Sequence, residues 1–184
     1  ASAVTALQRR YGITGLPEQA VLPVIGTKEV IAWLPTLLGL GAADTVVVPE
    51  LAYPTYEVGA LLAHARAVRA DSLTQLGPSV PALVFLNSPS NPPGRVLGVD
   101  HLRKVVGWAR ERGVLVASDE CYLGLGWEQS RPVSILHPEV CGGDHTGLLA
   151  IHSLSKTSSL AGYRAGFVAG DPDVVAELLA VRKH

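Results

Sequence analysis

Seven short apolar runs constrain this chain more than any other feature of it. They are Ala20 to Ile25, Thr45 to Val48, Ala65 to Ala70, Ala82 to Leu86, Val114 to Ser118, Leu148 to Ser153 and Ala165 to Ala169. Most are apolar throughout rather than alternating, the mark of strands covered on both faces. Helical patterns lie between several of them. From Asp100 to Arg112, Leu102, Val105, Val106 and Ala109 share one face, with Asp100 placed to cap the start and Gly113 to stop the end. From Thr27 to Leu38, Val30, Ile31, Leu34, Leu37 and Leu38 repeat similarly, and Pro35 is expected to kink that helix. Asp173 to Val181 reads as a last helix, entered through Pro172. Alternating strand and helix predicts an α/β domain with a mainly parallel sheet. There is no internal repeat, low-complexity segment or linker, and Tyr122 to Gly147 is the least regular stretch.

At 184 residues the chain is one ordinary domain by length, with room for a substantial core. A net charge of −1 leaves no electrostatic footprint for nucleic acid and no polybasic membrane segment. No apolar run approaches the length of a transmembrane helix. Yet 48% apolar residues and a positive mean hydropathy are high for a soluble monomer of this size. Part of the excess is expected to face another chain, or another part of this one. The chain starts at Ala1, contains no methionine and stops mid-pattern in Val181-Arg182-Lys183-His184, as expected of a segment cut from a longer protein. Cys121 and Cys141 form neither a disulfide framework nor a metal-site spacing, so a reduced, cytoplasmic setting is expected. No signal peptide is visible.

Chemistry concentrates after the sixth run. Leu148-Leu149-Ala150-Ile151 leads into His152-Ser153-Leu154-Ser155-Lys156, which places the lysine where a buried strand ends. Arg164 follows eight residues later, between glycines that allow backbone and ligand to approach closely. Two hydroxyls, an amine and a guanidinium at one strand end suit a phosphorylated aldehyde: the amine forms a Schiff base while the hydroxyls and the arginine hold the phosphate. The plainer reading is a surface loop with an exposed Lys156. The segment resembles the pyridoxal-phosphate lysine motif of the class I/II aminotransferases. It matches at the small residue three before the lysine, and at Lys156, Leu160, Gly162, Arg164 and Gly166.

In open α/β sheets ligands bind outside the carboxyl ends of the strands, and polar residues gather there in this chain. The first run ends at Gly26-Thr27-Lys28, where a helix pattern begins. Unpaired N–H groups at a helix start bind phosphate, although a glycine and a threonine also serve as plain caps. In the family, the matching residues form the phosphate-binding turn. The second run ends at Pro49-Glu50-Leu51-Ala52-Tyr53-Pro54-Thr55-Tyr56. Tyr53 matches the aromatic that stacks on the cofactor ring in the family's Pro-x-Tyr-Pro-x-Tyr pattern, or is an ordinary half-buried tyrosine; Tyr56 reads as packing. The fourth run ends at Asn87-Ser88-Pro89-Ser90-Asn91-Pro92-Pro93-Gly94, by composition a turn. It resembles the family's Asn-Pro-x-Gly signature, with Asn91 donating to the cofactor's phenolic oxygen and Pro93 in a place often held by threonine. A cis Asn91–Pro92 bond is expected.

The fifth run ends at Ser118-Asp119-Glu120-Cys121-Tyr122. A buried carboxylate against a pyridine nitrogen keeps it protonated and makes the ring an electron sink. Asp119 matches the family's aspartate for that role and Tyr122 its phenol donor, while the plainer reading of Asp119 is a cap or loop carboxylate. Glu120 reads as solvated or ion-paired, and Cys121 as a small apolar filler.

The order of these elements is that of fold-type-I pyridoxal-phosphate enzymes, and the resemblance covers nearly the whole chain. It implies a three-layer α/β/α sandwich on a mainly parallel seven-stranded sheet, the large cofactor domain of the aspartate aminotransferase fold. On this reading residues 1–184 are that domain, without the N-terminal segment and the small C-terminal domain whose arginine binds the substrate carboxylate. The cofactor-binding residues implied are Gly26, Thr27, Lys28, Tyr53, Asn91, Asp119, Tyr122, Ser153, Ser155, Lys156 and Arg164, with Lys156, Asp119 and Tyr122 catalytic and no metal. The activity implied is amino transfer between an amino acid and a 2-oxo acid such as 2-oxoglutarate, by a cytoplasmic homodimer that engages neither nucleic acid nor membrane. The wording around the site looks most like bacterial succinyldiaminopimelate aminotransferases of lysine biosynthesis, a branch of amino-acid biosynthesis, and Trp127 either lines the substrate pocket or is a core residue.

Other readings share these residues. The same fold and lysine also run carbon–sulfur lysis and decarboxylation, and a non-catalytic sensor domain of a transcription regulator would keep the same pocket. A nicotinamide-dependent dehydrogenase fits poorly, because Gly124-Leu125-Gly126 follows the fifth run and has no third glycine at the needed spacing.

Overall fold

The computed structural model describes residues 2–127 and 130–183. In chain order the helices are α1 (Ser2–Tyr11), α2 (Thr27–Leu37), α3 (Thr55–Leu62), α4 (Val99–Arg112), α5 (Pro138–Cys141), α6 (Leu154–Thr157) and α7 (Pro172–Arg182). The strands are β1 (Val21–Val24), β2 (Thr45–Val48), β3 (Arg66–Arg69), β4 (Leu83–Asn87), β5 (Leu115–Asp119), β6 (Leu148–Ser153) and β7 (Gly166–Gly170). Each strand falls on one of the seven apolar runs, shifted by a residue at most of its ends. All belong to one sheet in the order β1-β7-β6-β5-β4-β2-β3. Only β7 runs against its neighbours, pairing antiparallel with β1 and with β6.

The apolar strands still alternate, because both faces of the sheet are covered. Val84, Leu148 and Ala150 face a core closed by Leu7 of α1 and by Leu102, Val105, Val106 and Ala109 of α4. Leu83, Phe85, Leu149 and Ile151 face the opposite core, closed by Val30, Ile31 and Leu34 of α2, Tyr56 and Ala60 of α3, and Val175 and Leu178 of α7. The result is the expected three layers. No helix among the described residues is long and apolar enough to cross a membrane.

Helix boundaries follow local chemistry. Helix α4 starts one residue earlier than expected: Gly98 occupies the cap without a side-chain bond, and Asp100 sits in the first turn paired to Arg103 at 3.2 Å. Asp100 is therefore not the cap. Gly113 does end that helix, in the left-handed conformation at φ 65°. Asp171 caps α7 by accepting from the N–H groups of Asp173 and Val174, and its other oxygen accepts from Gly147, tying the helix to the entrance of β6. Helix α2 stops at Leu37, two residues past Pro35. Pro35 has no N–H to offer the Ile31 carbonyl. A β-carbon on Gly59 of α3 would lie 2.8 Å from that oxygen, so glycine is what lets α3 close on α2. Helices α1 and α3 have no counterpart in the sequence pattern. The apolar stripe of α1 is only Val4, Leu7 and Tyr11, and α3 begins inside the tyrosine-bearing segment that reads as the end of a strand.

Register decides where chemistry collects. Asn87 pairs with Asp119 across β4 and β5, and Asp119 with Ile151 across β5 and β6. Gly166, the first residue of the reversed strand β7, pairs with both Val24 and Ser153. The carboxyl ends of β1, β4, β5 and β6 thus share one edge with the amino end of β7, and Arg164 is delivered there by a strand running the other way.

Candidate active site

A pocket of about 360 Å³ opens at that edge. Ten of the eleven residues singled out from the sequence line it: Thr27 and Lys28 from α2, Tyr53 after β2, Asn91 after β4, Asp119 and Tyr122 from the end of β5, and Ser153, Ser155, Lys156 and Arg164 from β6 onward. The eleventh, Gly26, lies beneath one wall. It holds φ at 77°, and a β-carbon there would run into the Arg164 guanidinium. Glycine thus permits both the left-handed backbone and the close approach of the arginine.

The pocket carries charges of both signs. Lys28, Lys156 and Arg164 line it, and none of them has a carboxylate within ion-pairing distance among the described residues. The Lys28 ammonium instead sits 5.9 Å from the centre of the Tyr53 ring. Arg164 takes the left-handed backbone at φ 50° and donates to the Ala161 carbonyl at 3.2 Å, leaving most of its fork open. No side chain caps α2, so its first N–H groups lack a side-chain acceptor where Thr27 and Lys28 line the pocket. Ser153 is buried; its hydroxyl oxygen accepts from the Ser155 N–H at 3.1 Å, and its own proton is free to donate.

Asp119 also lines the pocket and is 5% exposed. Its Oδ2 accepts from the Tyr56 hydroxyl at 2.7 Å and its Oδ1 from the Cys121 N–H at 3.1 Å. Burial holds the carboxyl above the usual range, against the opposing pull of the Tyr56 hydroxyl and of the Cys121 N–H and thiol. Burial and the nearby Asp119 raise the Cys121 thiol, so it stays protonated; Tyr122 is raised as well, by burial first. The Asn91 backbone N–H donates to Asn87 Oδ1 at 2.8 Å, while Asn87 Nδ2 donates to the carbonyls of Asp119 (3.0 Å) and Pro89 (3.2 Å). One buried amide therefore fixes the Asn91 turn against the end of β5. Asn91–Pro92 is cis as expected, and so is Ser88–Pro89.

Several expectations from sequence change here. Tyr56 is not simply packing: it bonds Asp119. The signal for it in sequence is a tyrosine one helical turn from Tyr53 on an otherwise buried helix face, since a buried hydroxyl needs a partner. Asn87, which reads only as the start of a turn, is the hub of that turn. Glu120 is buried rather than solvated, with Oε1 accepting from Ile135 N–H at 2.8 Å and Oε2 lying 3.4 Å from His152 Nε2. Trp127 is not a core residue; it is 83% exposed and borders a neighbouring hollow of about 310 Å³ that shares Asn91 and Tyr122.

Comparison with known proteins decides the family. The model for "Aminotransferase class I and II" matches residues 2–184. The chain belongs to the class I and II aminotransferases. It is 80% identical over 183 residues to the "Probable aminotransferase Rv1178" of Mycobacterium tuberculosis, covering 100% of this chain and 44% of that protein. It is 57% identical over 183 residues to the 4-dedimethylamino-4-oxo-anhydrotetracycline transaminase OxyQ of Streptomyces rimosus, covering 100% of this chain and 50% of that one. Among solved structures, a probable N-succinyldiaminopimelate aminotransferase from Thermus thermophilus superposes with a TM-score of 0.87 at 30% identity, covering 98% of this chain and 50% of the other. The chain spans about half the length of the curated relatives it matches.

Class I and II aminotransferases depend on pyridoxal 5′-phosphate, and the pocket fits that molecule. Arg164 and Lys28 without acidic partners and an uncapped helix start suit a phosphate, the Lys156 amine suits an aldehyde, and a buried carboxylate suits a protonated ring nitrogen. No cluster of side chains able to hold a metal occurs among the described residues.

Proposed function

We propose that these residues form the large, cofactor-binding domain of a longer, homodimeric aminotransferase that moves an amino group between an amino acid and a 2-oxo acid. The observation that carries this reading is the convergence in one pocket of the buried Asp119 with Lys28, Lys156 and Arg164, cations that have no acidic partner among the described residues. Bound pyridoxal phosphate supplies an aldehyde carbon that exchanges amines and a protonated ring that draws electrons from the substrate's α-carbon.

The protein's part is position and protons. Arg164, Ser153, Ser155 and the amides at Gly26, Thr27 and Lys28 bind the phosphate, and Tyr53 covers the ring. Asn91 and Tyr122 donate to its phenolic oxygen. Asp119 holds the proton on the ring nitrogen. Lys156 Nζ would hold the aldehyde carbon and, when free, would take the α-proton of the substrate and return a proton to the carbon next to the ring. Lys156 lies on a short helix capped by Ser153, so its backbone is tied to the strand that carries the site.

The names of the relatives support the substrate class: a tetracycline-precursor transaminase, and LL-diaminopimelate aminotransferases such as that of Desulforudis audaxviator, 37% identical over 183 residues. We assign glutamate and 2-oxoglutarate as one pair and a diaminopimelate-type amine, free or N-succinylated, as the other. The test is transamination by the full-length protein, with glutamate formation from 2-oxoglutarate followed for each amine. Glutamate formed with one of these amines supports the assignment. Pyruvate and ammonia released without a 2-oxo acid acceptor would instead identify a lyase.

A further inference from the structure

Asp119 is buried without a counter-cation. Among the described residues no lysine, arginine or histidine lies within ion-pairing distance of it. Its charge therefore rests on neutral donors: the Tyr56 hydroxyl, the Cys121 N–H and, more weakly, the Cys121 thiol. The Tyr56 hydroxyl is the strongest of them. Tyr56 is held firmly in that position, being 1% exposed and packed on Phe85 with ring centres 5.2 Å apart. Burial and the neighbouring carboxylate raise its phenol far above the ordinary value, so it remains a donor at any working pH. The two residues lie 63 positions apart, joined where the first turn of α3 meets the end of β5. Tyr53, just before that turn, and Tyr56 within it both line the pocket, and Tyr56 reaches the carboxylate.

We propose that Tyr56 is a positioning residue for the cofactor: its hydroxyl keeps Asp119 ionised and oriented to receive the ring N–H of pyridoxal phosphate. The proposal rests on the cofactor-domain reading above. Other titratable groups around Asp119 do not substitute for it. The Cys121 thiol stays protonated and is only a weaker donor to the carboxylate, Tyr122 stays neutral, Glu120 turns away to Ile135 N–H, and Lys28, Lys156 and Arg164 line the pocket without reaching the carboxylate.

The experiment is a binding titration against pH in the full-length protein. The probe is pyridoxine 5′-phosphate, which keeps the ring and phosphate but lacks the aldehyde, so that Lys156 chemistry does not enter. Tyr56→Phe preserves the ring packing and removes only the donor. It is expected to weaken binding about tenfold at neutral pH and to move the acid limb of binding up by about one unit, because Asp119 then protonates more easily. In an Asp119→Asn background the same change is expected to have no further effect. A Tyr56→Phe protein with wild-type affinity and an unmoved acid limb overturns the proposal, as does an equal loss in the Asp119→Asn background, which marks a merely structural tyrosine. If wild-type protein binds neither this probe nor pyridoxal phosphate, the cofactor-domain reading fails and takes the proposal with it. Wild-type binding with an unaltered variant overturns the proposal alone.

Discussion

Glu120 Oε2 and His152 Nε2 face each other across 3.4 Å, both buried, with no other hydrogen-bond partner for either atom among the described residues. Burial pushes the Glu120 carboxyl from 4.5 up to about 7 and the His152 imidazole from 6.5 down to about 3. Around pH 5 to 6 both are thus neutral, and a proton on Glu120 can be shared with the imidazole. The ring is fixed by stacking between Tyr11 (5.7 Å) and Phe167 (5.0 Å).

This pair has a definite pH signature. A raised Glu120 contributes stability that is full below 4.5 and is lost as pH rises through about 7. A lowered His152 works oppositely, its contribution being full above 6.5 and lost as pH falls toward about 3. Between 4.5 and 6.5 the two slopes cancel. Glu120→Gln removes one of them. Relative to wild type, the variant is expected to gain stability with rising pH, by roughly 1.4 kcal/mol per unit across that window. Denaturant melts at several pH values check this; parallel curves would show that Glu120 keeps its ordinary acidity.

The Asn87 amide makes three hydrogen bonds within the wall of the site. Asn87→Asp keeps an acceptor for the Asn91 N–H but turns an oxygen toward the carbonyls of Asp119 and Pro89. A loss of about 2 kcal/mol or more in stability is expected, together with weaker cofactor binding. Thermal melts and a cofactor titration measure the two separately.

Gly26→Ala tests the packing of the phosphate end. A methyl group there meets the Arg164 guanidinium and forces a side chain into the left-handed region. At φ 77° and ψ 159° the backbone lies in a region nearly confined to glycine, and the cost is about 1–3 kcal/mol. Displacement of the arginine is expected to raise the dissociation constant for pyridoxal phosphate by about tenfold or more. Equilibrium binding at fixed ionic strength is the measurement.

Asp119→Asn keeps the shape of the carboxylate but not its charge. The variant is expected to retain cofactor and to react about a hundredfold more slowly or worse. Single-turnover kinetics with an amino acid give the rate, and a wild-type rate would mean that Asp119 does not set the ring's protonation.

Much of the fold is legible in the sequence because a strand buried on both faces is apolar throughout, as Leu148-Leu149-Ala150-Ile151 shows. The strand-end residues are legible because each follows its run directly: Asp119 closes β5, and Lys156 comes three residues after β6. What the sequence hides depends on contact between distant elements. Tyr56 meets Asp119 across 63 positions and Asn87 meets it across 32, and no local pattern encodes either distance. Glu120 reads as solvated because its charge is visible in sequence, whereas His152 becomes its neighbour only through the pairing of β5 with β6. Asp100 has the residue type of a cap, but α4 begins at Val99 and places it inside the first turn.

Lys156 as the anchor of pyridoxal phosphate is the claim on which the rest depends. The full-length protein is incubated with the cofactor and reduced with borohydride, and the modified peptide is mapped by mass spectrometry. A single phosphopyridoxyl adduct on Lys156, absent from Lys156→Ala, is the expected result. A protein left unlabelled, or labelled at Lys28 or Lys104 with Lys156 untouched, would contradict the account.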